Sequence, residues 1–269
     1  MRALLAGYYG EGNVDLNDLG SRAVLSRHGS LDELLGTDPH LLGPSELDGL
    51  KPEAARQLVR DGADREGPSF HKVHSANYPA PTGERVFPAG AGRALYVVRN
   101  PLDVAASWAP FFAVSLDQAV QTLGDRAFVL NRSRGRFDDV LPEPLGSWSD
   151  HVTSWLDAPG LPVHVVRYED LKAAPAAAFA EALRFVGEAP DPTRVAVAVE
   201  AARFERLQAR ESEEGFHERP ARGSFFRKGR VGGWRDELSP EQARRVESDH
   251  RTVMERLGYG GLAAETARR

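Results

Sequence analysis

Two stretches of the chain are apolar on nearly every consecutive position. "RALYVVRN" (93–100) sets Leu95, Tyr96, Val97 and Val98 in a row, and "LPVHVVRYED" (161–170) is again almost continuously apolar. "SFHKVH" (69–74) reads as a further strand. Runs apolar on both faces, each followed by a helical pattern, predict parallel strands covered on both sides. The first run leads into "NPLDVAASWAPFF", where Asn100 suits an N-cap and Pro101 the first helical position. The second leads into "AAPAAAFAEALRFVG", with Gly187 as its stop. Helical spacing also predicts helices over "PEAARQLVRDG", "SLDQAVQTLGD", "SWSDHVTSWLDA", "TRVAVAVEAARFERLQAR" and "PEQARRVESDHRTVMERLG". The stretch "NRSRGRFDDVLPEP" (131–144) reads as a loop that orders on demand. The predicted fold class is α/β, a three-layer sandwich with a parallel central sheet, in a single domain over residues 1–269.

Composition narrows the function classes. A net charge of −5 argues against a general nucleic-acid binder, which would show a basic surface. The absence of cysteine excludes disulfides, thiolate metal sites and cysteine nucleophiles. No apolar run approaches the roughly 18 residues needed to span a bilayer. The start, "MRALLAGYYGEGNVDL", lacks the charged lead, longer apolar core and cleavage site of a secretory signal. The expectation is a cytoplasmic protein with neither a membrane nor a nucleic acid as partner.

Charge is sharply patterned near the C-terminal end. Arg219, Arg222, Arg227, Lys228, Arg230 and Arg235 occur with no acid among them, directly after Glu211, Glu213, Glu214 and Glu218. Gly229, Gly232 and Gly233 interleave with these cations, and glycine lets a backbone come close to what it holds. A small, multiply charged anion is the matching partner, and a solvated basic turn is the alternative. A second anion site is predicted where Arg99 ends a strand before a helix N-terminus, because N–H groups, helix dipole and guanidinium converge there. Ser107, about two helical turns beyond Asn100, faces the same side. In "FHKVH", Lys72 and His74 are two apart and share one face of an extended strand. Such a pair suits transfer of an anionic group, His74 removing a proton from an acceptor hydroxyl and Lys72 steadying the transferred charge. A metal pair of His71 with His74, or a histidine merely satisfied by hydrogen bonds, are the rival readings.

Several of these pieces together resemble the sulfotransferases that use 3′-phosphoadenylyl sulfate (PAPS). "YVVRNPLDVAASWAPFF" resembles that family's 3′-phosphate segment, and "FHKVH" its K-T-H segment with valine for threonine. "VRYEDLKAAPAAAFAEALRFVG" is similar to its Y-E-D-(L/M)-K helix entry, "GSWSDHVTSWL" to its G-S-W-x-x-H-V-x-x-W helix, and "FFRKGRVGGW" to its R-K-G-x-x-G-x-W loop. The matches fall in the family's order and extend from Phe70 nearly to the C-terminus. The resemblance implies a P-loop nucleotide-binding type of fold, and a donor site in which Phe225, Arg227, Lys228 and Gly229 wrap the 3′-phosphate. Arg99 and Ser107 would grip the same phosphate, and Tyr168 and Phe204 match the positions that contact adenine. Ala202 and Arg203 stand where many relatives have Thr-Ser. It further implies in-line displacement at sulfur with His74 as base and Lys72 as cation, adenosine 3′,5′-bisphosphate (PAP) as product, and no metal.

Acceptor walls are expected from Trp108, Phe111, Phe112 and Trp148 together with the 131–144 loop. The expected acceptor is a small hydroxylated molecule, and the Ala- and Arg-rich composition suggests, by association, a bacterial enzyme acting on a natural product. The family's K-x-x-x-T-V-x-x-x-E pairing segment is replaced by "RDELSPEQAR", so no oligomeric state follows. A phosphotransferase would need G-x-x-x-x-G-K-[ST], and the chain has no Gly-Lys pair. A relative that binds PAP without catalysis is the other alternative.

One expectation concerns the chain's beginning. Family members open with a strand and a loop of the type Y-P-(K/R)-S-G-(N/T)-T-W-(L/M)-R, whereas "MRALLAGYYG" resembles the helix that follows it. The expectation is therefore that this first strand and its phosphosulfate loop are absent from the sequence, that the natural start lies upstream, and that residues 1–269 transfer sulfate weakly. Arg2 to Tyr9 should form a helix whose N-terminus points at an incomplete 5′-phosphosulfate site.

Overall fold

Several helices begin at a residue whose side chain caps the first turn. The structure, a computed structural model, describes residues 1–19, 25, 28–62, 67–131, 140–220 and 222–260. In chain order its elements open with α1 (Arg2–Tyr9), α2 (His28–Leu35), α3 (Pro44–Gly62), β1 (Ala94–Val98), α4 (Pro101–Phe112) and α5 (Leu116–Gly124). There follow β2 (Val129–Leu130), β3 (Glu143–Pro144), α6 (Trp148–Leu156), β4 (Val163–Arg167), α7 (Tyr168–Ala173) and α8 (Pro175–Phe185). The last are α9 (Pro192–Ala201), α10 (Phe204–Glu214) and α11 (Pro240–Arg256). Strands β1 and β4 pair in parallel across a crossover, which makes the fold α/β. Asn100 caps α4 as its sequence predicts, its side chain accepting from Leu102 N at 3.0 Å with Pro101 in the first turn. Ser239 and Gln242 close a reciprocal capping box on α11.

The chain forms two compact units. One comprises Met1–Gly20, Val97–Gly124 and Val165–Arg269. In it α1, the helix expected at Arg2–Tyr9, lies against α9, and Gly7 permits the approach because a Cβ there would sit 3.1 Å from Ala198 Cα. Buried Tyr8 accepts a hydrogen bond from Asp191 N at 3.1 Å, which fixes the entry to α9. Val14, Leu16, Leu19, Ala201, Leu207 and Phe216 form an apolar cluster beside it.

The other unit comprises Ser21–Tyr96 and Asp125–His164. Its core joins Leu47, Ala54 and Ala55 of α3 to Val86, Phe87, Trp155 and Leu161, with the Phe87 and Trp155 rings 5.1 Å apart. Strands β2 and β3 pair antiparallel, Leu130 opposite Glu143. Residues 132–139, most of the expected loop 131–144, lie outside the described residues.

Two expectations change. The segment 69–74 is not a strand, since only Lys72 has bridge geometry. Side chains of α6 anchor its far end instead of a ladder: His151 Nε2 meets His74 O at 2.8 Å and Trp155 Nε1 donates to Ser75 O at 3.1 Å. The single helix expected over 193–210 is two, α9 and α10, broken at Ala202–Arg203 where Arg203 is extended (ψ 139°). Ala201 and Leu207 share one apolar cluster although six residues apart, a spacing that would set them about 120° apart around a continuous helix. The break lets both face the same core.

Candidate functional site

The crossover from β1 into α4 and the basic loop meet around one cavity of about 700 Å³ in the first unit. Arg99, Ser107, Tyr168, Phe204, Phe225, Arg227, Lys228 and Gly229, all eight residues expected to hold the donor, line it. Met1, Ala3 and Leu4, at the N-terminal end of α1, line it too.

Arg99 is held from three directions. Its Nη2 donates to Arg230 O at 2.7 Å, its guanidinium lies 4.5 Å from the Tyr168 ring centroid, and Asp103 is 3.7 Å away. Its Nε is buried with no hydrogen-bond partner. Burial pushes the Tyr168 hydroxyl up, with the Arg99 charge opposing and Asp103 reinforcing. Asp103, itself buried, accepts from Gly232 N at 2.8 Å and Trp234 N at 3.0 Å, so one carboxylate of α4 fixes the glycine-rich turn.

The basic loop is fastened to α10 by an acid that sequence reading did not single out as a partner. Buried Glu211 accepts from Ser224 Oγ at 2.5 Å, Phe225 N at 2.6 Å and Phe226 N at 2.9 Å. Burial would raise its pKa, but those three hydrogen bonds outweigh it and hold the carboxyl below its usual range. Gln208, one turn earlier, donates to Phe226 O at 2.7 Å. Gly229 has φ +57°, and a Cβ on it would fall within 2.5 Å of Phe204 Cε2. The room that this glycine leaves is therefore filled by the Phe204 ring, which shapes the cavity wall. Arg227 donates to Ala106 O at 3.0 Å, beside Ser107, and both Arg227 and Lys228 reach Glu237. Ala221, inside the expected loop 219–235, lies outside the described residues.

A smaller cavity shares Arg99 and Ser107 and is walled by Val104, Trp108, Phe111 and Phe112. The Trp108 and Phe112 rings are 4.3 Å apart, and Phe111 meets Phe225 edge-on at 6.1 Å. Three of the four residues expected as acceptor walls thus collect at one place. Trp148 is buried at the start of α6, in the second unit.

The expected catalytic pair also lies in the second unit. His74 Nδ1 is 3.3 Å from Glu143 Oε2, a buried carboxylate on β3, while the His74 side chain is half exposed. His151 bridges His74 O and the Tyr96 hydroxyl, each at 2.8 Å. Burial pushes the His151 imidazole down, its hydrogen bond to the His74 carbonyl opposes this, and a charge on His74 would push it further down. His71 turns to Ser69 Oγ at 3.2 Å, so the two histidines of the rival metal pair have different partners. Among the described residues no group of three metal-binding side chains occurs, and no helix is long and apolar enough to cross a membrane.

Comparison with known proteins gives one consistent result. A family model described as "Sulfotransferase domain" matches residues 59–258. Sulfotransferase 1A1 of Canis lupus familiaris is 26% identical over 172 residues, 62% of this chain and 56% of that protein. Cytosolic sulfotransferase 6 of Arabidopsis thaliana is 25% identical over 254 residues, 88% of this chain and 72% of that protein. The chain thus spans about half of the canine relative's length and nearly three quarters of the plant one's. Among solved structures, retinol dehydratase in complex with androsterone and the inactive cofactor PAP superposes with a TM-score of 0.57 at 17% identity, covering 94% of this chain and 76% of that one. A mouse sulfotransferase complexed with PAP gives 0.52, also at 17% identity, covering 79% and 74%. Both likenesses are likenesses of fold.

Proposed function

The chain belongs to the sulfotransferase domain family, and from that premise we propose that it moves a sulfuryl group from PAPS to a hydroxyl of a small-molecule acceptor. The observation that carries this reading is the convergence of eight donor-site residues on one cavity. The residues fit the donor chemically. Arg99, with a buried Nε lacking a hydrogen-bond partner, and Arg227 present forks that match phosphate oxygens, and Lys228 adds a point charge. Tyr168 and Phe204 offer aromatic surface for a purine.

When bound, PAPS supplies an activated sulfuryl group. His74 takes the acceptor's proton while the acceptor oxygen forms its bond to sulfur and the bond from sulfur to the phosphate oxygen breaks, with PAP leaving. The Glu143 carboxylate lies 3.3 Å from Nδ1, and Nε2 is the atom proposed to take the acceptor's proton. Lys72 stabilises the negative charge that grows on the bridging oxygen. Trp108, Phe111 and Phe112 supply an apolar wall for the acceptor. A bacterial natural product with a free hydroxyl is the acceptor class proposed, and androsterone on the retinol dehydratase neighbour supports an apolar, ring-bearing one.

Single-turnover transfer from sulfur-labelled PAPS to a panel of phenolic and alcoholic acceptors tests this reading. Label on an acceptor supports it. Tight PAP binding without transfer to any acceptor would make the chain a nucleotide binder instead.

A further inference from the structure

The basic loop meets an acid that belongs to the cavity itself. Glu237 lines the cavity and follows the 3₁₀ turn Gly233–Asp236. Its position is fixed by that turn: its N–H donates to Trp234 O at 3.0 Å, and Trp234 is buried. From this anchored place the carboxylate takes the Arg227 fork, Oε2 accepting from Nη1 at 3.1 Å and Oε1 from Nη2 at 3.1 Å. Oε1 also accepts from Lys228 Nζ at 2.8 Å. The loop's other cation here, Arg230, is paired with Asp236, and Asp103 is committed to Gly232 N, Trp234 N and Arg99.

A carboxylate and a phosphate use the same recognition, two oxygens set against the two N–H groups of a guanidinium. The groups that Arg227 and Lys228 would offer a phosphate are the ones that Glu237 engages. Ala106 O and Glu237 together already occupy Arg227 Nη2. With one acid against two cations, the trio keeps a net charge of +1 rather than +2. An anion entering must therefore displace the carboxylate or share its cations, and it meets a weaker field than the loop's sequence promises.

We propose that Glu237 is a built-in counter-ligand of Arg227 and Lys228, competing with the donor's 3′-phosphate and so loosening the site's hold on both PAPS and PAP. The proposal rests on the donor-site reading given above. Weaker binding of the 3′-phosphate makes departure of PAP faster, which matters wherever product release limits turnover.

Calorimetric titration of the full chain with PAP and with adenosine 5′-monophosphate tests it, using the original chain, Glu237→Gln, Glu237→Asp and Arg227→Ala. Glutamine keeps the shape and one acceptor oxygen but removes the charge. Glu237→Gln should bind PAP on the order of tenfold more tightly, the worth of a charged hydrogen bond regained. Adenosine 5′-monophosphate, which has no 3′-phosphate, should change by less than about twofold on that same scale. Glu237→Asp, shorter in reach by one methylene, should give a smaller gain of the same sign, which guards against a glutamine variant that folds poorly. Equal or weaker PAP binding by both variants, with Arg227→Ala still weakening it, overturns the counter-ligand and leaves the donor site standing. PAP binding indifferent to Arg227→Ala as well overturns the donor-site reading and this proposal with it.

Discussion

Single side chains at the cavity make separable contributions. Arg99 and Arg227 reach it from different elements, the end of β1 and the basic loop. Replacing either by alanine should weaken PAP binding by about 1.5–3 kcal/mol, the scale of a hydrogen bond to a charged group. Calorimetry in which both variants bind as tightly as the original would remove them from the site. His74 answers to a different measurement. His74→Ala should lower turnover by about 10²–10⁴-fold, as loss of a general base does, and should leave PAP affinity near its original value. A variant that keeps its full rate across neutral pH would show that another group takes the proton.

At the scale of elements, the loop owes its shape to neighbours far away in sequence. Glu211 on α10 receives the hydroxyl of Ser224 and two backbone N–H groups, and Asp103 on α4 receives two more from the glycine-rich turn. Gly229 adds the third constraint, because its left-handed backbone lies under the Phe204 ring. Gly229→Ala should therefore cost PAP affinity through both strain and collision, together on the order of 1–3 kcal/mol. Gly223→Ala isolates the strain: its φ is +87°, but nothing lies within 4 Å of the added methyl. The Gly223 variant should lose clearly less affinity, and equal losses would mean that Phe204 packing is not what Gly229 serves. The acidic run before the loop was visible in sequence, yet only the turn of α10 selects Glu211 from it. Glu213 and Glu214 are exposed, whereas Glu211 is buried.

At the scale of the whole molecule, His151, Glu211 and Glu237 are among the groups that make stability depend on pH. The His151 ring titrates below its ordinary value of 6.5 in the folded chain, so the unfolded chain binds more protons between the two values. Folding stability therefore falls as pH drops through that window. Glu211 and Glu237 also titrate below their ordinary 4.5, and the stability they lend is present above that value and lost as pH falls through their folded pKa. The melting temperature should decline in two stages on acidification, the first below about pH 6.5 and the second below about pH 4.5. His151→Gln should shrink the first stage and leave the second unchanged. A single decline confined to the carboxylate range in the original chain would show that His151 does not contribute. Read by itself, the sequence determined the α/β class and the cap on α4, and its resemblance to a family pointed to the extent of α1 and to eight of the residues that line the cavity. The class and the cap depend on local spacing and capping, and such signals lie within a few residues of one another. Only tertiary structure decided that 69–74 is held by α6 side chains instead of a ladder, and that the chain breaks between Ala201 and Phe204 so that Ala201 and Leu207 share a core. It alone decided which acids meet which cations, because no local rule relates Glu211 to Phe225 or Glu237 to Arg227. Those pairs form where separate elements pack, and for buried Glu211 the cost of leaving its charge unpartnered then fixes the contact.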